Sequence, residues 1–313
     1  MPRIRPEPKA QGAKMPDDAC AASPVDPADT ESVPGGLVLV STPIGNLGDV
    51  SARARETLAG CDLLLCEDRR HTAVLLGALN LRVRTEALHE HNEDARIPAV
   101  LALLHAGKRV ALVSDAGTPL LSDPGFRLVR AVIAAGLPVT AVPGPNAALT
   151  ALVLSGLPPV PYLFLGFPPP RAAARRAAFG RVRGQEHAGL SATLIWHEAP
   201  HRLEEMLADL AAAFGDRPAA VARELTKRFE QVRRGSLPEL ADWAAREPVR
   251  GEITVLVAPP AAGQPDLAGL DAQLRAALAT ESVKDAAALV SAATGLPRKT
   301  VYARALALVG DRP

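Results

Sequence analysis

Three loop-like segments in the first half of the chain carry residue types that readily hold a small ligand. They are residues 42–49, residues 114–119 with 122–125, and residues 143–147, and each combines Gly or Pro with Asn or Asp. Each segment follows an apolar run that reads as a strand, and ligands of open α/β sheets bind beyond the carboxyl ends of the strands. One such loop is also typical of an ordinary tight turn. Three at one edge of a sheet predict a pocket for a flat or folded small molecule.

A second group of reactive side chains follows the second apolar run. Glu67, Asp68 and His71 could deprotonate or orient a hydroxyl group beside that pocket. In the structural alternative, Asp68 caps the next helix and the arginines beside it are solvated. Residues 89–92, which read His-Glu-His-Asn, end the neighbouring strand and would face the same cleft.

Motifs for other ligands are missing or fail on physical grounds. No G-x-G-x-x-G follows the first strand and no G-x-x-x-x-G-K-[ST] occurs, so neither NAD nor a P-loop nucleotide is expected. Residues 197–201, His-Glu-Ala-Pro-His, match the zinc motif H-E-x-x-H. That motif needs both histidines on one helix, whereas Pro200 breaks the turn between them. We expect no metal site.

Charge and cysteine usage limit the partners and the compartment. The 313 residues carry a net charge of +1, so binding to nucleic acid must come from local patches. Residues 171–183 hold five arginines and no acid, and residues 218–235 hold five basic residues and two acids; each run is equally typical of a solvated face. The odd cysteine count and the lack of a long apolar run predict a cytoplasmic protein that does not enter the membrane.

Alternating apolar runs and helical stretches predict an α/β fold with two domains. Residues 1–35 are expected to be a disordered leader. Residues 36–157 form the first domain, whose mostly parallel sheet has these predicted strands: 37–41, 62–67, 83–88, 109–114 and 139–142. Residues 158–260 form the second domain, whose sheet is mixed, with these predicted strands: 162–167, 193–197, 219–223, 231–235 and 253–258. Residues 266–313 are predicted to be a small helical domain, in which a short Gly-containing turn joins the last two helices. This spacing resembles a helix-turn-helix, which binds nucleic acid, and generic three-helix bundles share it.

Four sequence runs, in this order along the chain, carry a resemblance to a known family. They read LVSTPIGNLGD from residue 39, EDRRHT from residue 67, VSDAGTP from residue 113 and ARELTK from residue 222. In these runs the chain resembles the bacterial 16S rRNA cytidine 2′-O-methyltransferases of the tetrapyrrole methylase superfamily, over about residues 36–309. The resemblance implies a tetrapyrrole methylase-like fold, a homodimer, S-adenosylmethionine in the cleft between the two α/β domains, and 16S rRNA or the small ribosomal subunit as the partner.

The resemblance also implies roles for individual residues. The methionine and ribose side of the cofactor would meet Pro43, Asp115, Gly117, Thr118, Asn146 and Ala147. Ala222 and Glu252 would reach the adenine. The C-terminal helices resemble a small domain that some members carry, where RNA contact is expected. As a separate hypothesis, Arg69, Arg70 and Lys227 hold RNA phosphates and Glu67, Asp68 or His71 acts as the base. Asn146 departs from the family pattern, in which small side chains are common at that place.

Two other functions fit parts of the sequence. The chain could methylate a small tetrapyrrole precursor, because the superfamily shares the cofactor cleft. It could instead be a non-catalytic RNA-binding assembly factor, in which case no methyl donor would bind.

Overall fold

The computed structural model describes residues 35–261, 267–294, 296 and 298–310. The predicted leader, apart from Gly35, lies outside the described residues, as do Cys20, Gly295 and Pro297. Within the described part, no helix has the length and apolar character needed to cross a membrane.

The first sheet is parallel throughout, as the sequence predicts. Its strands are β1 (Leu37–Val40), β2 (Leu63–Cys66), β3 (Thr85–Ala87), β4 (Val110–Val113) and β5 (Val139–Val142), in the spatial order β3-β2-β4-β1-β5. β1, β2 and β4 are short Leu/Val-rich runs buried on both faces, which is the pattern of a covered parallel sheet. The carboxyl ends of these strands therefore lie at one edge.

The helices of the first half begin at caps that the sequence supplies. They are α1 (Ala52–Gly60), α2 (Arg69–Ala78), α3 (Glu93–His105), α4 (Phe126–Ala134) and α5 (Ala147–Ser155). The Ser51 side chain accepts a hydrogen bond from the Ala54 amide at the start of α1, as predicted. Asp68 caps α2 in the same way, accepting from the Arg70 amide. The structural alternative for Asp68 is therefore confirmed.

The second sheet is mixed, which confirms the second part of the predicted fold. Its strands are β6 (Tyr162–Phe164), β7 (Thr193–Glu198), β8 (Pro218–Arg223), β9 (Gln231–Ser236) and β10 (Ile253–Val257), in the spatial order β6-β7-β10-β8-β9. β6 and β7 are parallel, and the other pairs are antiparallel. The helices of this half are α6 (Ala172–His187), α7 (Leu203–Phe214) and α8 (Leu237–Arg246).

Helix α5 packs against the second sheet, although the sequence assigns it to the first domain. Its buried residues Ala148, Ala151 and Leu152 share one apolar cluster with Ile195 of β7 and Leu256 of β10. The opposite face of the sheet packs on α6, α7 and α8 through a separate cluster. Both faces of the second sheet are thus covered.

Ion pairs occupy much of the arginine-rich run on α6. Arg175 is buried and donates to Asp209 (2.7 Å) and Glu205 (3.1 Å) of α7. Glu186, also buried, binds Arg217 at 2.6 Å and Arg183 at 3.1 Å. This run therefore holds the second half together, and it presents fewer free charges than its composition suggests.

Three helices follow at the C-terminal end, where the sequence predicts them. They are α9 (Leu267–Ala277), α10 (Val283–Thr294) and α11 (Arg298–Gly310). Leu274, Ala286, Val290 and Val301 are among the residues of their own apolar cluster. RNA contact by these helices remains a prediction.

Candidate active site

A cavity of about 390 Å³ lies between the loops of the first sheet and the strand ends of the second. The first half contributes Ile44, Gly117, Thr118, Asp123, Asn146 and Ala147 to its walls. The second half contributes Phe164, Phe167, His197, Leu225, Glu252 and Thr254. Its size falls in the range of about 300–1,000 Å³ found for small-molecule sites.

Backbone and side-chain hydrogen bonds bring the three predicted loops together. The Thr42 amide donates to the Gly117 carbonyl at 2.9 Å, and the Gly117 amide donates to the Thr42 carbonyl at 3.1 Å. The Thr118 hydroxyl donates to the Pro145 carbonyl at 3.1 Å. Loops that are some 30 to 75 residues apart in the chain therefore form one rim, because the parallel strands before them end at the same edge.

Gly117 is required at this rim for two reasons. Its φ of +79° lies in the left-handed region, which disfavours a side chain. A Cβ at this position would also lie 3.2 Å from Cγ2 of Ile44, which is tight for a carbon–carbon contact. Glycine thus lets the backbone turn beside the cavity while Ile44 fills the space behind it.

The wall from the second sheet is aromatic. His197, near the end of β7, packs against Phe164 and Phe167 with ring centroids 5.0 and 5.6 Å apart. Its Nδ1 is 3.1 Å from the Thr254 hydroxyl, and burial lowers its pKa. The imidazole plane is inclined by 63° to the ring of Phe164 and by 54° to that of Phe167, so this side of the cavity presents ring edges as well as ring faces.

The zinc interpretation of residues 197–201 fails in the structure as it does in the sequence. His197 lies in a strand and His201 lies in the 3₁₀ turn Pro200–Arg202, so they do not share a helix face. Glu198 is buried and binds Arg202 and the Ala199 amide. Among the described residues there is no group of three side chains arranged to hold a metal ion.

Acidic side chains gather on the side of the cavity formed by the first half. Asp115 accepts from the Asp68 amide at 3.1 Å, and its carboxylate is 3.8 Å from Nδ1 of His71. Burial raises the pKa of Asp123 to about 7, with a further contribution from the charge of Glu67. Burial also raises the pKa of Glu67. By contrast, the hydrogen bonds from Arg70 lower the pKa of Asp68 to about 2.

Five of the predicted cofactor residues line the cavity, and three do not. Gly117, Thr118, Asn146, Ala147 and Glu252 are in its walls. Pro43 and Asp115 each precede a lining residue in the chain. Ala222 is buried in the apolar cluster behind the wall, so its side chain packs inside the protein. The predicted base candidates Glu67, Asp68 and His71 lie outside the lining residues, near Asp115.

The predicted phosphate-binding residues are split between two places. Arg69 and Arg70 begin α2, where Arg70 is highly exposed and pairs with Asp68 at 2.8 Å. Lys227 belongs to a loop after β8, where its Nζ is 2.8 Å from Glu224 and 3.2 Å from Glu252. In this arrangement two carboxylates already neutralise Lys227.

Sequence reasoning missed the aromatic wall and Asp123. His197 drew notice only through the zinc motif, and Asp123 only as part of a turn. A usable signal was present, because Asp123 lies in a glycine- and proline-bearing loop that follows the fourth strand. The aromatic wall had no comparable signal, since it forms only when the second half folds against the first.

A family model described as "Tetrapyrrole (Corrin/Porphyrin) Methylases" matches residues 36–241 of the chain. The chain belongs to this family. A second model, described as "RsmI C-terminal HTH domain", matches residues 264–309 of this methylase. Together the two matches cover the first sheet, four of the five strands of the second sheet and the C-terminal helices.

Several relatives of this methylase bear the name ribosomal RNA small subunit methyltransferase I. The one from Micromonospora olivasterospora is 47% identical over 280 residues, which are 87% of each chain. The one from Mesorhizobium japonicum is 44% identical over 92% of this chain and 94% of the relative. The one from Escherichia coli O157:H7 is 40% identical over 87% of this chain and 95% of the relative.

Solved structures share the fold of this methylase at low sequence identity. A cobalt precorrin-4 methyltransferase matches with a TM-score of 0.53 and 14% identity, over 71% of this chain and 94% of that one. A diphthine synthase matches with a TM-score of 0.53 and 14% identity, over 71% and 90%. Substrates as different as these names indicate show that the fold alone does not set the acceptor.

Proposed function

We propose that this methylase transfers a methyl group from S-adenosylmethionine to the 2′-hydroxyl of a cytidine ribose in 16S rRNA. One observation carries the proposal, namely that relatives 40–47% identical over 86–92% of this chain are named ribosomal RNA small subunit methyltransferase I. The position of the cavity supports it, since it lies at the strand ends where the three loops meet. The relatives' name does not specify the acceptor atom. The resemblance of the loop sequences to the cytidine 2′-O-methyltransferases is the reason for proposing the cytidine and its 2′-hydroxyl.

The residues of the cavity fit S-adenosylmethionine. The left-handed Gly117 gives a backbone turn with no side chain in the way. The aromatic side chains of Phe164, Phe167 and His197 suit an adenine ring, which they can contact by ring edge or ring face. The carboxylate of Glu252, also in the cavity wall, suits the positive charge that the cofactor carries. When bound, the cofactor supplies an electrophilic methyl group.

The protein's own part is mainly to position the reactants and keep water out. Holding two reacting groups in line at close range removes much of the entropic barrier to their reaction. Asn146 and Ala147, at the start of α5, and Thr118 would hold the cofactor from the first half, and Glu252 would hold it from the second. Arg69, Arg70 and Lys227 would meet RNA phosphates at the edge, with Lys227 leaving its two carboxylate partners when RNA binds.

The proposal includes a homodimer in the cytoplasm. Exposed apolar side chains on α5, Leu149 and Val153, offer a face that a second copy would cover. Sedimentation of the purified protein should give twice the mass of one chain. A single-chain mass at micromolar concentration would remove the homodimer from the proposal and leave the activity intact.

The activity is tested by methyl transfer to defined acceptors. Purified protein is incubated with S-adenosylmethionine labelled in the methyl group, and separately with free 16S rRNA, assembled small subunits and a tetrapyrrole precursor. Label should appear in RNA at one cytidine that resists alkaline cleavage. Label in the tetrapyrrole alone would favour the rival enzymatic function, and label on a base would remove the 2′-hydroxyl from the proposal.

Cofactor binding separates the enzyme from a non-catalytic RNA-binding factor. S-adenosylmethionine at about 100 times its Kd should stabilise the fold by about 2.7 kcal/mol, read as a rise in Tm. Adenosine triphosphate, which shares the nucleoside and lacks the sulfonium, serves as the control and should give little change. An unchanged Tm with S-adenosylmethionine would point to the non-catalytic function.

A further inference from the structure

A ribose hydroxyl must lose its proton when its oxygen bonds to a methyl carbon, and a nearby base speeds this by about 10²- to 10⁴-fold. None of the three predicted bases lines the cavity. Asp68 is held by Arg70 and by the start of α2, and the His71 side chain is 70% exposed. We propose that Asp123 is the base that takes the proton from the acceptor hydroxyl, an inference that rests on the proposed methyl transfer.

The loop after β4 places Asp123 in the cavity wall. Asp123 lies among the lining residues together with Gly117 and Thr118 of the same loop and Asn146 of the next. These neighbours belong to the cofactor side of the cleft. The Asp123 carboxyl group therefore lines the same cavity as the residues proposed to hold the cofactor.

The backbone around Asp123 has one strongly determined conformation. Leu120 and Ser122 have φ values of +73° and +76°, which cost free energy in residues with a side chain. Gly125 has a φ of +119°, and a Cβ there would lie 2.6 Å from Cδ2 of Leu112. Ser122 also lies close to the second half of the chain. A Cβ placed on Gly166 would be 3.4 Å from the Ser122 Oγ. Packing on both sides thus holds Asp123 toward the cavity.

The surroundings of Asp123 give it the proton affinity of a base that works near neutral pH. It is partly buried, and the negative charges of two carboxylates, Glu67 and Asp115, act on it. Burial is the largest cause of the raised pKa, and the charges of Glu67 and Asp115 add to it. A base is most effective when its pKa is close to the working pH, and about 7 meets that condition.

The proposed step is balanced as follows. The acceptor O–H bond breaks as its oxygen bonds to the methyl carbon, and the proton passes to an Oδ of Asp123. The carbon–sulfur bond breaks, and its electron pair stays on sulfur as the neutral thioether. Water then takes the proton from Asp123 once the methylated RNA has left.

Activity measurements compare Asp123→Asn with Glu67→Gln and with Asp216→Asn, an exposed site between α7 and β8. At saturating S-adenosylmethionine and small subunits, Asp123→Asn should lower kcat by about 10²- to 10⁴-fold with the cofactor Kd unchanged. The wild-type rate should rise with pH as Asp123 ionises and then level off, and the variant should lose this dependence. Asp216→Asn should match the wild type, and a drop confined to Glu67→Gln would transfer the role to Glu67.

The pKa of Asp123 can also be tested through the Tm of the protein, measured without cofactor or RNA at several pH values. Its raised pKa means that ionising Asp123 costs the folded state more than the unfolded state, so the contribution of Asp123 to stability falls as pH rises from about 4 to about 7. Asp123→Asn, which stays neutral, should have a higher Tm than the wild type at pH 8 and nearly the same Tm at pH 4. Equal Tm values at pH 8 would overturn the proposed environment.

The outcomes separate the inference from the function on which it rests. If the wild type methylates RNA and Asp123→Asn is equally active, the inference about Asp123 is overturned and the proposed function stands. A wild-type protein that transfers no methyl group to any RNA overturns both.

Discussion

At the scale of single residues, neighbours decide what each acidic side chain can do. Asp68 and Asp123 are the same residue type in polar segments that follow parallel strands. Arg70 and the α2 amide hold Asp68 ionised, with a pKa of about 2, whereas burial and the charge of Glu67 raise the pKa of Asp123 to about 7. The sequence shows both carboxyls but does not show burial, so it gives no reason to prefer Asp123 to Asp68 as the base, and the choice of Asp123 is a proposal that rests on the structure.

Gly117 gives a prediction at this scale. Gly117→Ala should destabilise the protein by about 1–2 kcal/mol, because an L-residue resists the left-handed conformation. It should also weaken S-adenosylmethionine binding, since the new Cβ pushes on Ile44 in the cavity wall. Urea unfolding measures the first effect and calorimetric titration the second.

Gly77→Ala is the matched control. Gly77 lies within α2, where a Cβ would meet nothing within 4 Å, so alanine should stabilise the protein by about 0.5–1 kcal/mol. If both alanine variants bound the cofactor as the wild type does, Gly117 would have no part in the site.

At the scale of elements, patterning predicts most of the fold. All ten strands and the three C-terminal helices occur where the sequence places them, because runs such as Leu63–Cys66 are apolar on both faces and turn residues bound them. Helix α5 shows the limit of this reasoning. Its sequence is almost wholly apolar, so periodicity does not indicate which sheet it covers, and the structure packs it on the second.

The buried ion pair between Glu186 on α6 and Arg217 before β8 should contribute to the stability of the second half. Arg217→Met leaves the Glu186 carboxylate without its strongest partner in the interior, which should cost about 3–5 kcal/mol. Arg183→Met is the control, because Arg183 binds the same carboxylate from a more exposed position and should cost less.

A double variant, Glu186→Leu with Arg217→Met, should recover most of the lost stability, since apolar side chains of similar size often replace a buried ion pair without loss. Urea unfolding of the wild type, both single variants and the double variant forms a complete cycle. A double variant less stable than Arg217→Met would contradict this account of the pair.

At the scale of the whole molecule, a net charge of +1 means that RNA must bind to particular surfaces. The run at residues 171–183 was one candidate, but Arg175, Arg176 and Arg183 pair with acids of the same half. The exposed start of α11, with Arg298 and Lys299, carries positive charge without an acidic residue in its first turn. Composition alone could not rank these surfaces, because it does not show which charges fold inward.

Lys299→Glu tests whether RNA binds at the start of α11 in preference to α6. RNA affinity should fall, and the slope of log K against log salt should decrease by roughly 0.7–0.9 for each RNA phosphate that the variant no longer neutralises. Arg181→Glu makes the same charge change at an exposed position on α6 and should have the smaller effect. Filter binding across a salt series gives both quantities, and a larger drop in affinity for Arg181→Glu would return the RNA surface to α6.

The packing of α5 affects how this protein can be divided or recombined. Asn146 and Ala147 at its start line the cavity, while its buried face belongs to the apolar interior of the second sheet. A chimera joined at residue 157 would separate that helix from the surface it evolved to cover. Exchange of halves between homologues should therefore place the junction ahead of residue 143, so that the helix travels with its sheet.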